Sequence, residues 1–379
     1  MRGALAAAVA VAGLAGASWA VGLRSGSDRA PEPVSSARDL PAAVNEASAK
    51  MEVSVEARHA ALQRATVWHP PPVPVERADL EQDPAPLPRE VSCRFVVEAP
   101  GGTTPKFDCV LTGGERVKVK YSGPEPHAEV AASRLLRALG FGADSVTFVE
   151  RLRCHGCPRF PFLTLKTLGA TRTEALYSRT VDYTEFADLE WVSVERRRPG
   201  VAIETAEGRG WAWFELDALR AAPRAHVDAM RLMAAFLVHW DNKAENQRLL
   251  CPDVAADARR RDALCDSPVA YMQDLGATFG PRKVDLADWR RTPVWHRRDT
   301  CELSMEQLPH GGGTFTTVRI SEAGRRFLGD RITRLRRSQV EGLFRGARFA
   351  EDEQALSAWA DVFERKVREI TEGPACPQS

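Results

Sequence analysis

Alternating apolar and polar residues mark the first readable stretch of the chain. Cys93-Arg-Phe-Val-Val97, Phe107 to Leu111 and Arg116-Val-Lys-Val-Lys-Tyr121 each predict a strand, with turns at Gly101-Gly102-Thr-Thr-Pro105 and Gly113-Gly114. The period then changes to 3.6. Ala128, Ala131, Ala132, Leu135, Leu136 and Leu139 predict a helix that Pro124 and Pro126 start and Gly140 stops, with Glu125 at the positive end of its dipole. Glu129 lies at the border of that stripe. Residues 146–166 read as extended again, and 171–222 carry aromatic residues but no motif. A second, strongly apolar helix runs from His226 to about His239 and leads straight into His239-Trp-Asp-Asn-Lys-Ala-Glu-Asn246. Arg248-Leu-Leu250 and Val269-Ala-Tyr-Met-Gln-Asp-Leu-Gly276 read as strands on either side of a charged insertion bounded by Cys251 and Cys265. The tail from Ser321 reads as mostly helical, and no internal repeat is visible.

Upstream the pattern breaks. Arg2 precedes an apolar run, Ala4 to Val21, with small residues at Ser18-Trp19-Ala20. Two readings fit: a secretory signal cleaved after Ala20, or an uncleaved N-terminal membrane anchor. Either exports the rest of the chain to a periplasm, the extracellular space or a secretory lumen. Residues 21–90 read as linker, with helical composition at 41–66 and a proline-rich, extended spacer at 69–91, so the folded domain is expected at 91–372. Of 379 residues, 44% are hydrophobic and 27% charged, which suits a globular protein and excludes wholesale disorder or a many-span membrane protein. The net charge of +1 gives no basic excess for general nucleic-acid binding.

Export changes the meaning of the eight cysteines. In an oxidising compartment they read as up to four disulfides. Proximity in sequence suggests Cys93–Cys109, Cys154–Cys157 and Cys251–Cys265, leaving Cys301 with Cys376. Cys154-His-Gly-Cys157 has a second reading as half a metal site, for which no second Cys-x-x-Cys exists. The cations are also uneven: only eight of the 52 Lys and Arg residues are Lys. A chain that defaults to Arg keeps Lys by chance or where a compact ammonium is required, which singles out Lys118, Lys120 and Lys243.

Asp241 and Asn246, with Asp274 further on, suit one chemistry. One carboxylate orients a hydroxyl and accepts its proton, while the Asn oxygen and the other carboxylate hold a hard cation such as Mg²⁺ or Mn²⁺ among substrate phosphates. In these residues the chain resembles the protein-kinase-like superfamily. His239-Trp-Asp241-Asn-Lys243-Ala-Glu-Asn246 is similar to the kinase catalytic loop, Asp274-Leu-Gly276 to the metal-binding Asp-Phe-Gly, and Val117-Lys118-Val119-Lys120 with Glu129 to the kinase strand lysine and its helix partner. A Gly-x-Gly-x-x-Gly loop is absent, and Gly101-Gly102 is the nearest substitute. Atypical branches, the secreted, HipA-like and phosphoinositide kinases, are the more similar ones.

The resemblance implies an α+β, two-lobed kinase-like fold. Its N-lobe, about 91–168, would be a small β-meander plus helix, and its C-lobe, about 169–372, mostly helical. It implies ATP as cofactor, Asp241 as base, Lys243 at the transferred phosphate, Asn246 and Asp274 as metal ligands, and Lys120 as phosphate clamp held by Glu129. Alternation places Lys120 on the face opposite Val117 and Val119; Lys118 shares that parity and is the fallback, and His239 is read as structural. The expected activity is phosphoryl transfer to a hydroxyl of an unknown protein, sugar or lipid acceptor. The alternatives are an exported pseudokinase used as a binding module, and nucleotidyl transfer on the same scaffold. His310-Gly311-Gly312-Gly313 reads as a flexible loop and Arg331 to Arg337 as a solvated helix face.

Overall fold

Residues 50–252, 265–308 and 312–377 are described by the computed structural model. The leader, and the part of the expected linker before residue 50, lie outside the described residues. From residue 50 onward the chain is part of the folded body. Strand β1 (Lys50–Glu52) precedes helix α1 (Val55–Arg64), which Ser54 caps by accepting the Ala57 N–H. Leu62, Ala65, Val67, Val75 and Leu80 are buried in the main core. The prolines between them direct the chain over that core instead of holding it away as a spacer.

Strands β2 (Glu90–Phe95), β3 (Lys106–Leu111) and β4 (Arg116–Lys120) form the expected antiparallel meander. Helix α2 (Glu125–Ala138) follows, with Ala128, Ala131, Ala132, Leu135 and Leu136 fully buried along its predicted stripe. Strand β5 (Ser145–His155) runs parallel to β2. After α3 (Pro161–Thr171) and α4 (Glu174–Ser178), strand β6 (Phe186–Arg196) pairs antiparallel with both β5 and β4. The five strands close a barrel in the order β2-β3-β4-β6-β5. Phe95, Phe107, Val117, Val119, Leu152, Val192 and Val194 pack together in its apolar core. The alternate residues Lys118, Lys120 and Glu195 fall on the other face, which α2 covers.

The rest of the chain joins a sheet to helices. Strand β7 (Val201–Glu204), helix α5 (Arg224–Leu237), strand β8 (Gln247–Cys251) and strand β9 (Val269–Met272) give a four-stranded sheet ordered β1-β7-β8-β9, parallel at β1–β7 and antiparallel elsewhere. Helices α6 (Leu286–Arg291), α7 (Glu322–Ile332), α8 (Arg337–Gly346) and α9 (Glu353–Thr371) complete the body, with α7 packed on both α5 and α9. Arg331 lies in the last turn of α7 and Arg337 opens α8, so the arginine-rich stretch spans a turn, not one helix face. Among the described residues no helix is long and apolar enough to cross a membrane.

The fold is α+β, but the expected kinase-like architecture of an open meander over a mostly helical second lobe is overturned. The small part is a closed barrel, and a mixed sheet runs through the large part. Closure comes from β6, which lies in the stretch read as motif-free, beyond the expected lobe boundary near 168. All four expected cysteine pairs form: Cys93–Cys109, Cys154–Cys157 and Cys251–Cys265, suggested by proximity, and Cys301–Cys376, reached by elimination. Four disulfides fit an exported protein, and Cys154 and Cys157 are bonded to each other instead of forming half a metal site.

Candidate functional site

Lys120 is the last residue of β4 and only 1% exposed. A buried ammonium is tolerable only with partners. Its Nζ donates to Oε1 of Glu129 at 2.6 Å and to Oδ1 of Asp274 at 2.9 Å. One side chain thereby ties the barrel, the first half of α2 and the segment after β9. Burial works to lower the Lys120 pKa, but Asp274 and Glu129 outweigh it and hold it well above the usual lysine value. Burial raises Glu129 to about 7 against the pull of Lys120. Asp274 goes the other way, because the Lys120 ammonium holds it far below the carboxylate range in spite of its desolvation. Lys118 has the same strand parity but a different partner, Glu195, at 2.8 Å.

Asp274 adopts the left-handed region, φ 52°, which Asp accepts more readily than most residues. The N–H of Gln273 donates to the Asn246 carbonyl at 3.0 Å, linking this turn to the loop after α5. Gly276 packs so close to α2 that a Cβ there would stand 3.0 Å from Cβ of Glu125.

The loop itself starts where Val238, at φ 56°, ends α5. His239 is wholly buried, with Nε2 3.4 Å from Nε2 of Gln247, in keeping with a structural role. Lys243 Nζ lies 3.0 Å from Oδ1 of Asp241. Asn246 donates through Nδ2 to the Asp241 carbonyl at 2.7 Å, which commits its amide nitrogen and leaves its amide oxygen for a cation. Asn242 was not singled out by sequence, yet its Oδ1 accepts from the N–H groups of Thr314 at 2.9 Å and Phe315 at 3.0 Å, pinning the loop to a distant segment.

These parts surround a cleft of about 760 Å³, a size that suits a small-molecule ligand. Gly101, Gly102, Asp241, Lys243, Asn246 and Asp274 all line it. Lys120 and Glu129 are buried against it through Asp274, so every residue selected from sequence gathers here. Lys106 was missed. It pairs in register with Lys120 and lines the cleft, its Nζ 3.2 Å from where a Cβ on Gly102 would stand. Burial lowers its pKa; Asp274 opposes that, while Lys120 and Lys118 add to it. The scarcity of lysine was the signal that could have found it. Lys50, Lys106, Lys118 and Lys243 line the cleft, Lys120 is buried beside it, and Lys166 bonds the Gly102 carbonyl at 3.4 Å. Among the described residues no group of three or more His, Cys, Asp or Glu side chains gathers as a self-sufficient metal site.

No family model matches the chain, and no solved structure matches it. It is similar to the oligopeptide-binding protein OppA of Mycobacterium bovis and of two strains of Mycobacterium tuberculosis. Each is 25% identical over 205 residues, covering 50% of this chain and 33% of the relative. The chain thus spans about a third of the length of the curated relatives it matches.

Proposed function

We propose that the chain binds ATP in this cleft and transfers the terminal phosphoryl group to a hydroxyl of an acceptor. The observation that carries the reading is Lys120, bonded at once to Glu129 and Asp274 beside a cleft lined by Asp241, Lys243 and Asn246. Lys120 and Lys106 would orient the phosphates, with the Gly101-Gly102 turn beside them. Asp241 would take the hydroxyl proton as the acceptor oxygen bonds to the terminal phosphorus and the bond to ADP breaks. Lys243, paired with Asp241, would face the transferred group. Asn246 and Asp274 would hold Mg²⁺ or Mn²⁺, which when bound neutralises phosphate charge. Catalysis on this plan is positioning and electrostatics.

Thermal shift with Mg-ATP and Mn-ATP tests the reading. A ligand that binds only the folded state raises the melting temperature by mass action. The expected result is a rise that Lys120→Met abolishes. No shift at millimolar nucleotide with either metal would sink it, and a shift without turnover would leave a nucleotide-binding module in place of an enzyme.

A second reading rests on the comparisons. The relatives are named oligopeptide-binding proteins, and an exported chain with an open, charged cleft could hold a peptide without chemistry. Saturable binding of a mixed peptide pool, indifferent to nucleotide and to Lys120→Met, would favour it.

A further inference from the structure

The cleft has a second end that the nucleotide reading leaves unassigned. Beyond Asn246 it is lined by Lys50, Arg209 and Arg248, against the carboxylates Glu204 and Glu245. Lys50 pairs with Glu204 at 3.2 Å, which uses up one charge of each sign. Arg209 forms no hydrogen bond or ion pair with any described residue, and Arg248 makes one long contact, Nη1 to Oε1 of Gln273 at 3.4 Å. The planar fork of Arg matches the two oxygens of a carboxylate or phosphate.

The position of this end is fixed by backbone. Gly210, at φ 73°, lies so close to the loop after α5 that a Cβ would collide with the carbonyls of Ala244 and Gln247. Arg58 clamps the same glycine, Nη2 donating to its carbonyl at 2.7 Å while Nη1 meets Glu215 at 2.8 Å. Trp211 Nε1 donates to the Arg248 carbonyl at 3.0 Å. Arg209 and Arg248 are therefore held beside the strip that bears Asp241 and Asn246, where an acceptor must lie to present a hydroxyl to Asp241.

We propose that Arg209 and Arg248 form an oxyanion subsite that holds a carboxylate or phosphate carried by the acceptor, next to the hydroxyl that is modified. Assigning this anion to an acceptor rests on the phosphoryl-transfer reading; the subsite itself does not.

The test is calorimetric titration of the full chain with inorganic phosphate and, separately, with citrate, each in the presence of saturating magnesium and a non-hydrolysable ATP analogue. The expected result is that one anion binds as a second ligand, and that the double variant Arg209→Gln, Arg248→Gln weakens it at least about tenfold while the analogue binds as before. The anion that binds separates a carboxylate-bearing from a phosphate-bearing acceptor. Both arginines lie outside the core, and an unchanged melting temperature checks that the variant folds. Binding of neither anion, or binding that the double variant leaves unchanged, overturns the subsite. If the analogue fails to bind while an anion still binds in an Arg209- and Arg248-dependent way, the subsite stands and the phosphoryl-transfer reading falls.

Discussion

Lys120 serves two carboxylates, and the two respond to pH in opposite directions. Glu129 is raised from 4.5 to about 7, so between those values the folded chain keeps a proton that the unfolded chain has lost. Stability from this group therefore declines as pH rises through that window. In urea midpoints taken across it, Glu129→Gln should remove the decline. Asp274 is depressed below its ordinary 3.8, so its contribution is present above that value and fades as pH falls beneath it. Asp274→Asn should blunt acid unfolding and abolish any transfer. Asp241→Ala should cost transfer about 10²–10⁴-fold and leave nucleotide binding nearly intact; wild-type turnover in this variant would end its role as base. Strand period two placed Lys118 and Lys120 together on the face opposite Val117 and Val119, but it could not separate one from the other. The partner of Lys118 was not legible either, because Glu195 lies 77 residues away. Since Glu195 is buried, Lys118→Met should destabilise by up to about 3 kcal/mol while sparing nucleotide affinity, a split readable by thermal shift with and without ATP. Lys106 and Asn242 escaped notice for a similar reason: a single lysine at a strand start, or an asparagine in a loop, has no local pattern that gives away its surroundings.

At the scale of elements, sequence worked where one face is apolar and the other polar. The strands from residue 90 to 120, α2 and α5 all formed within a few residues of their predicted bounds. It worked less well for 146–166, where β5 ends at His155 and Pro161 opens α3, and it missed β6 altogether. In β6 Val192 and Val194 belong to the barrel core, but Ser193 and Glu195 are buried as well, against α2, so this half of the strand has no solvent face to give a clean alternation. The β8–β9 hairpin carries both Asn246 and Asp274 at its base, and Cys251–Cys265 ties it across a separation of 14 residues. Replacing both cysteines by serine should cost about 3 kcal/mol in the chain-entropy model. Calorimetry of the variant against wild type checks this, and an unchanged melting temperature would mean that the bridge adds nothing to the hairpin.

For the molecule as a whole, the main revision is where the folded body begins. Prolines between residues 69 and 91 look like a spacer because composition reports stiffness and says nothing of contact. In the fold, Leu62, Val67, Val75 and Leu80 are all at most 6% exposed. A chain starting at residue 91 should therefore lose cooperative unfolding and become protease-sensitive; a sharp melting transition in that truncation would contradict the packing. The closed barrel has a different consequence. An open meander ends in two unpaired edges that can recruit a neighbouring molecule, whereas in the barrel every strand has a partner on each side. The parallel β2–β5 contact is the seam that removes those edges. Proline in place of Arg153, which pairs with Ser92 on one side and Asp188 on the other, would break ladder bonds there and lay the edges bare. Such a variant should grow thioflavin-positive fibres on concentration where the wild-type chain does not, which makes the seam a guard against self-association.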